Sequence, residues 1–381
     1  MEIIYPIPEK LPLNKARFIQ IFNTCDSLAK LGNKVIICCS LKKNFSSEDL
    51  LKYYGISHIS HNLHIKKIPL FYWEYKKIYK ITWNFSYYIY FLAYLLTKAS
   101  KNKSSKNIIF LRYPKLAYFL CKFKNLIKAI FVYEAHEIFS FKNPKYSKIE
   151  KKIFEESDII FCITERLKNF MTKKFNIKDQ KIFVIPDGVK DEWLDIKKNC
   201  GKYLFYAGSL EKWKGVEVLI KAMSYLPNEK LLIAGEGEEL ENLKKLVKNL
   251  NLEDRVKFLG YLSHKEIPLY LTKSKIGVLP NINEGISEFT SPLKLFEYMA
   301  LGLPIVASDL PVFREVLRDR ENALLVKPGD PEALAEGIKI LLENPQIAEK
   351  LTHKAKKMAK NYTFSKRAEK IKEIIESFYK H

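Results

Sequence analysis

Cysteine is scarce in this 381-residue chain and never closely paired in a ligand pattern. Cys25, Cys38, Cys39, Cys121, Cys162 and Cys200 include no Cys-x-x-Cys spacing. That argues against a zinc ribbon or a redox pair, and a buried reduced thiol is the expected fate of each. Long apolar runs are missing too. None reaches the ~20 residues of a membrane-spanning helix; the nearest, Ile81–Leu96, is broken by Asn84 and Ser86. The opening residues, MEIIYPIPEK, lack the charged-then-apolar order of a secretory signal, so a cytoplasmic location is expected. No low-complexity tract occurs. Acidic residues nearly vanish from one stretch: residues 50–133 hold Glu74 alone against fifteen Lys and Arg.

What is present points to a two-domain globular protein. A chain of 381 residues exceeds one ordinary domain, and 47% hydrophobic content supplies packed cores. The net charge of +22 is uneven. Residues 1–200 carry 36 Lys/Arg against 18 Asp/Glu, whereas the remainder is close to balance with 29 against 25. The basic half is also dense in Tyr, Phe and Trp, which implies an anionic partner.

Apolar runs at Ile3–Tyr5, Val35–Cys39, 108–112, 129–137 and 158–164 read as buried parallel strands with helical segments between. Phe18, Ile21, Phe22, Cys25, Leu28 and Ala29 recur at helical spacing, and Gly32 ends that helix. A second run of the same kind starts near Lys202, with "YLFYA", "KLLIAG", "VKFLGYL", "IGVLP", "PIVAS" and "ALLVKP" as strands. The expected fold class is α/β, with two Rossmann-like doubly wound domains facing a central cleft. The expected division is residues 1–195, residues 196–363, and a last helix over 364–381 that packs back on the first domain.

Three stretches of the second domain carry chemistry. In "YAGSLEKWKGVEVL", Gly208 follows a strand and Lys214-Gly215 opens a helix, which suits a phosphate cradle. A solvated loop lysine is an equal rival on spacing alone. In "IAGEGEEL", Gly235 and Gly237 permit a tight turn, and turn chemistry suffices to explain them. In "SPLKLFEYMALG", Ser291 reads as an N-cap and Pro292 as the first helical residue. Lys294 then stands in the first turn, where the helix dipole disfavours a cation by about 0.3–1 kcal/mol. A bound diphosphate would make that lysine favourable. Glu297, three residues on, shares its face and suits a ribose diol; the plainer alternative is a surface Lys294–Glu297 ion pair. Leu293, Phe296 and Ala300 are the expected core face.

"YAGSLEKWKGVEVLIKAM", "LLIAGEGEELENL", "VKFLGYLSHKEIPLYL", "SPLKLFEYMALGLPIVASDLP" and "ENALLVKPGDPEALAEGI" together resemble the C-terminal half of the retaining nucleotide-sugar glycosyltransferases of family 4, with the GT-B fold. "TCDSLAKLGNKV", "VYEAHEIF", "ITERLKNFM" and "VIPDGV" extend a weaker resemblance over the first half. The resemblance implies a donor site of Gly208, Ser209, Lys214, Gly235, Gly260, Tyr261, Ser291, Pro292, Leu293, Lys294 and Glu297. Lys214 would bind the diphosphate, Glu297 the ribose, and the backbone at Gly260 and Tyr261 the base. His136 would stand beside the reacting sugar, which makes His136, Lys214 and Glu297 the implied catalytic group. The donor would be a UDP- or GDP-linked sugar and the acceptor a glycan or lipid-linked glycan. No cofactor or metal is implied, and the chain lacks an Asp-x-Asp motif.

This sequence departs from the family pattern in three places. Ser209 stands where an Arg is frequent. Phe289 holds the place of the first of two glutamates, with Glu284 and Glu288 as its candidate substitutes. "PEKLPLNKARF" replaces a glycine-rich loop, which puts Asn14, Lys15 and Arg17 with His136 at the acceptor site.

The segment 72–96, "YWEYKKIYKITWNFSYYIYFLAYLL", is either a buried helix or an interfacial one. In the second case Lys76, Lys77 and Lys80 meet anionic head groups, and Trp73 and Trp83 sit at the boundary. The confinement of charge to this half favours peripheral contact with an anionic membrane surface somewhere in 66–128. His58, His61 and His64 lie three apart but lack a nearby acid or Cys to complete a metal site. A basic nucleic-acid-binding protein is the rival of another class: it explains the charge and the aromatics but leaves Lys214, Lys294 and Glu297 unexplained, so nucleic acid is not an expected partner. A GT-B-fold sugar-nucleotide epimerase is the rival within the fold.

Overall fold

A computed structural model describes residues 1–70, 79–101, 107–199 and 201–380, with the side chains of 79–84, 101, 142, 286 and 380 excepted. Cys200, Trp73, Lys76 and Lys77 therefore lie outside the described residues, as do the side chains of Lys80 and Trp83. The chain forms two compact units. The first comprises Met1–Ile163, Leu167–Ile185 and the chain from Arg367 onward; the second comprises Thr164–Arg166 and Pro186–Lys366.

Each unit is built on one parallel sheet. Strands β1 (Glu2–Leu11), β2 (Lys34–Leu41), β3 (Leu63–Lys67), β4 (Ile108–Leu111), β5 (Ile130–Ala135), β6 (Ile159–Cys162) and β7 (Ile182–Val184) lie in the order β3-β2-β1-β4-β5-β6-β7. In the second unit β8 (Tyr203–Ala207), β9 (Leu231–Ala234), β10 (Val256–Gly260), β11 (Ser274–Leu279), β12 (Ile305–Ser308) and β13 (Leu324–Val326) lie in the order β10-β9-β8-β11-β12-β13. The strand order reverses between β1 and β4, and again between β8 and β11. In open parallel sheets such a switch point leaves a crevice at the strand C-termini, where ligands bind.

Strand β1 runs further than its apolar start suggests, despite Pro6 and Pro8. It pairs with β4 only through Ile3 and Ile4, while its partner β2 follows it to Leu11. Beyond Ile4 one side of the strand is free of the β4 ladder, so a missing N–H is tolerated there. The helix Ala16–Lys30 buries Phe18, Ile21, Phe22, Cys25, Leu28 and Ala29 in the first core. Ala368, Ile371 and Ile375 of the last helix, Phe364–Lys380, join the same core. Cys25, Cys38, Cys39, Cys121 and Cys162 are free and buried.

Inside this core sits one fully buried carboxylate. Tyr5 Oη and Gln20 Nε2 each donate to Glu134 at 2.9 Å, and Arg367 of the last helix donates to it as well. Burial alone would raise the Glu134 carboxyl, but the charges of His136, Arg367 and Arg112 hold it well below the usual range. Removing it takes a carboxylate from Arg367, which is 3% exposed and also donates to Ile185 O. Glu134→Ala is expected to cost about 3–5 kcal/mol, because the buried guanidinium loses this counter-charge. Urea denaturation checks this.

Candidate active site

Glycines at adjacent strand ends open the second unit's sheet. The N–H of Gly208, after β8, donates to Ala234 O at 3.0 Å, and the N–H of Gly235, after β9, donates to Gly260 O at 2.8 Å. A methyl on Gly235 would lie 1.9 Å from Gly208 O. On Gly208, whose φ is +155°, it would lie 2.9 Å from Lys294 Nζ. A methyl there would push the end of the Lys294 side chain aside, and the positive φ itself favours glycine. Nothing lies within 4 Å of the space over Gly260, and Tyr261 beside it is exposed.

Lys294 belongs to the helix Leu293–Leu301, which is buried almost all round. Its Nζ lies 3.7 Å over the Tyr206 ring and has no hydrogen-bond partner. Burial, and then the nearby charge of Lys214, lower its ammonium well below the ordinary lysine range; Glu297 opposes the shift. Lys214 is half-buried, with Nζ 3.7 Å over the Trp213 ring. Burial lowers it to about 8, against the pull of Glu211. Two cations thus share one neighbourhood with too little negative charge to satisfy them.

Several expected roles change in the structure. Ser291 does not cap the helix. The N-cap is Pro292, without a side-chain cap bond, and Ser291 Oγ instead accepts from the N–H of Asp187 at 3.3 Å. The surface Lys294–Glu297 pair is overturned: both residues are buried, and Glu297 Oε1 meets His264 Nε2 at 2.9 Å. Leu293 is half-buried rather than on the core face, which Phe296 and Ala300 share with Leu295 and Tyr298–Leu301. Ser209, half-buried, accepts at its carbonyl from Tyr206 Oη. Glu284 and Glu288 are not buried with Lys294. Glu284 is exposed and pairs with Lys212 at 3.5 Å, and Glu288 pairs with Arg166 at 3.1 Å. Phe289, between them and the helix, is 2% exposed and packs inward.

The first unit holds a cavity of about 340 Å³ at its own switch point. Glu9 of β1, Arg112 and Tyr113 after β4, and His136 after β5 line it, with Arg17. Arg17 donates to both Glu9 oxygens, at 2.6 and 2.7 Å. His136 Nε2 lies 3.3 Å from Glu134. Asn14 and Lys15 do not line this cavity; both are exposed, and Asn14 accepts from Tyr53 Oη. Among the described residues no three His, Cys, Asp or Glu side chains form a metal-binding group.

Comparisons with known proteins give the family and the fold. Residues 19–193 match "Glycosyltransferase Family 4" and residues 194–358 match "Glycosyl transferases group 1". This chain belongs to the family 4 glycosyltransferases. An uncharacterized glycosyltransferase of Haemophilus influenzae is 31% identical over 223 residues, covering 57% of this chain and 61% of that protein. The uncharacterized glycosyltransferase MJ1069 of Methanocaldococcus jannaschii is 32% identical over 243 residues, covering 60% of each. The chain thus spans about three fifths of the curated relatives it matches. HepE of Anabaena, solved in complex with UDP, superposes with a TM-score of 0.74 over 99% of this chain and 100% of its own, at 16% identity. The family 4 chain accordingly has the GT-B fold.

In this family 4 chain, sequence reasoning missed His264 and Trp193, whose rings stack at 4.9 Å, with His264 against Glu297. His264 stands in the quoted stretch "VKFLGYLSHKEIPLYL", but its partner is 33 residues away. It missed Tyr206 too, because a tyrosine in an apolar strand reads as core.

Proposed function

We propose that this chain transfers a sugar, with retention, from a UDP- or GDP-linked donor to a glycan or lipid-linked acceptor. One observation carries the reading: Lys294 is buried, has no hydrogen-bond partner, and stands with Lys214 at the β8/β11 switch point. A diphosphate supplies the missing negative charge. The two ammonium groups and the start of the helix Leu293–Leu301 then stabilise the charge that develops as the diphosphate departs. No metal ion or other cofactor is needed for that step. The departing phosphate takes the acceptor hydroxyl's proton, so no side-chain nucleophile is required. Glu297, fixed by His264, holds the ribose diol, and the open backbone at Gly260 and Tyr261 receives the base. Arg17 and His136 hold the acceptor in the first unit's cavity. UDP bound to HepE supports the donor class. A thermal-shift panel of nucleoside diphosphates tests the reading: UDP or GDP is expected to raise the melting temperature, with EDTA without effect. No shift from either would contradict it. Consumption of donor without any acceptor would favour an epimerase instead.

A peripheral site on the inner face of a membrane, from the cytoplasmic side, is part of the proposal. On the helix Tyr79–Lys101, Tyr87, Phe91 and Leu95 are buried, while Phe85, Ile89 and Tyr90 are exposed large apolar residues. Among the described residues no helix is long and apolar enough to cross a membrane. Lys-rich surroundings and an exposed aromatic face suit the head-group region. Flotation with phosphatidylserine vesicles is expected at low salt, and Phe85→Asp with Ile89→Asp is expected to weaken it at least several-fold. Equal flotation of the double variant would count against this face.

A further inference from the structure

Asn281 has no assigned role, and its surroundings are unusual. It is 1% exposed, and both Oδ1 and Nδ2 are buried without a hydrogen-bond partner. Among the described residues it alone leaves both polar side-chain atoms so. A buried amide with neither bond made costs free energy comparable to lost hydrogen bonds, and chains avoid that unless something else fills the place.

Its position says what could. Asn281 follows β11 by two residues, at the C-terminal end of the strand that pairs with β8. It therefore flanks the same switch point as Gly208 and the Lys214 turn. Backbone contacts fix it there. Ile282 N donates to Trp213 O at 3.1 Å, Ser287 Oγ donates to the same oxygen at 3.3 Å, and a methyl on Gly215 would meet Pro280 O at 1.8 Å. The backbone of Asn281 thus runs beside the turn that presents Lys214, with Asn281 N 3.3 Å from a methyl built on Gly215.

The chemistry of the amide narrows the ligand. A diphosphate offers only acceptors, and Lys214 and Lys294 already meet them. An amide offers both donors and an acceptor, which match a hydroxyl group that also does both. Of the three candidate positions for reading the donor sugar, Phe289 is buried, and Glu284 and Glu288 pair with Lys212 and Arg166.

We infer that Asn281 is a specificity-determining residue that reads a hydroxyl of the donor sugar through both ends of its amide. This rests on the donor-site reading above. The test compares wild type with Asn281→Ala and Asn281→Ser, using UDP-glucose, UDP-N-acetylglucosamine and GDP-mannose as donors and free UDP and GDP as ligands. For Asn281→Ala, kcat/KM for the donor is expected to fall about 10- to 100-fold, the range of a polar partner left unpaired. Its Kd for the free nucleoside diphosphate is expected to stay within about twofold, which also reports that the variant is folded. Asn281→Ser keeps a group that donates and accepts, and is expected to recover part of the loss. Unchanged donor kinetics in Asn281→Ala, or an equal loss of nucleoside diphosphate binding, overturns the inference alone. Failure of the wild type to bind UDP or GDP overturns the donor-site reading, and this inference with it.

Discussion

Replacing Lys294 by Met is expected to stop sugar transfer and to make the protein more stable. The two effects have one cause. In the free protein the Lys294 ammonium is buried without a hydrogen-bond partner, and the Lys214 charge adds to its cost. Methionine keeps the length of the chain and removes the charge. Replacing poorly compensated buried charge by an apolar residue of similar volume stabilises by about 1–4 kcal/mol, which is about 2–4 °C per kcal/mol for a domain of this size. Turnover should fall by about 10²–10³ or more, the usual loss when a donor to a developing negative charge is removed. Glu297→Ala makes the contrast. It too should lose turnover, but it leaves His264 without its partner at 2.9 Å, so no stability is gained. Melting curves and initial rates on the same preparations check both. An active Lys294→Met, or one with a lowered melting temperature, would contradict the account.

Donor affinity is expected to fall above pH 8. The free Lys214 ammonium titrates at about 8, lowered from 10.5 chiefly by burial. A bound diphosphate favours the charged form, so binding above pH 8 must draw a proton from solution. The dissociation constant then rises by about tenfold per pH unit for each such proton. Lys294, shifted in the same direction, adds to the uptake. Folding follows the opposite sign. Between about 8 and 10.5 the unfolded chain binds the Lys214 proton and the folded chain does not, so this group makes the free protein more stable as pH rises through that window. Calorimetric titration of UDP and GDP in HEPES and in Tris, at pH 7 to 9, measures the proton count directly. A constant affinity with no proton exchange over that range would contradict the expectation.

Sequence periodicity found the buried strands and missed the marginal ones. All six strands of the second unit appear as apolar runs, because a parallel strand covered on both faces has no polar side to hide it. The edge strands β3 and β7 escaped notice. Leu63–Lys67 reads "LHIKK" with two lysines in five residues, since an edge faces water and is protected by charge. The site was legible as residue types and illegible as pairings. Lys214, Lys294 and Glu297 were visible in two helix-opening stretches. That Glu297 meets His264, that Lys294 rests on Tyr206, and that Asn14 and Lys15 miss the cavity that Arg17 and His136 share are consequences of tertiary packing. Asn281 is the clearest case. In sequence it is an ordinary asparagine after a proline, and only its burial without partners sets it apart.

The most direct measurement is a crystal structure of the chain soaked with UDP and, separately, with GDP. The diphosphate oxygens are predicted within about 3 Å of both Lys214 Nζ and Lys294 Nζ, at the start of the helix Leu293–Leu301, with the ribose on Glu297. A nucleotide bound elsewhere, with Lys294 still resting on the Tyr206 ring and touching no phosphate, would contradict the account.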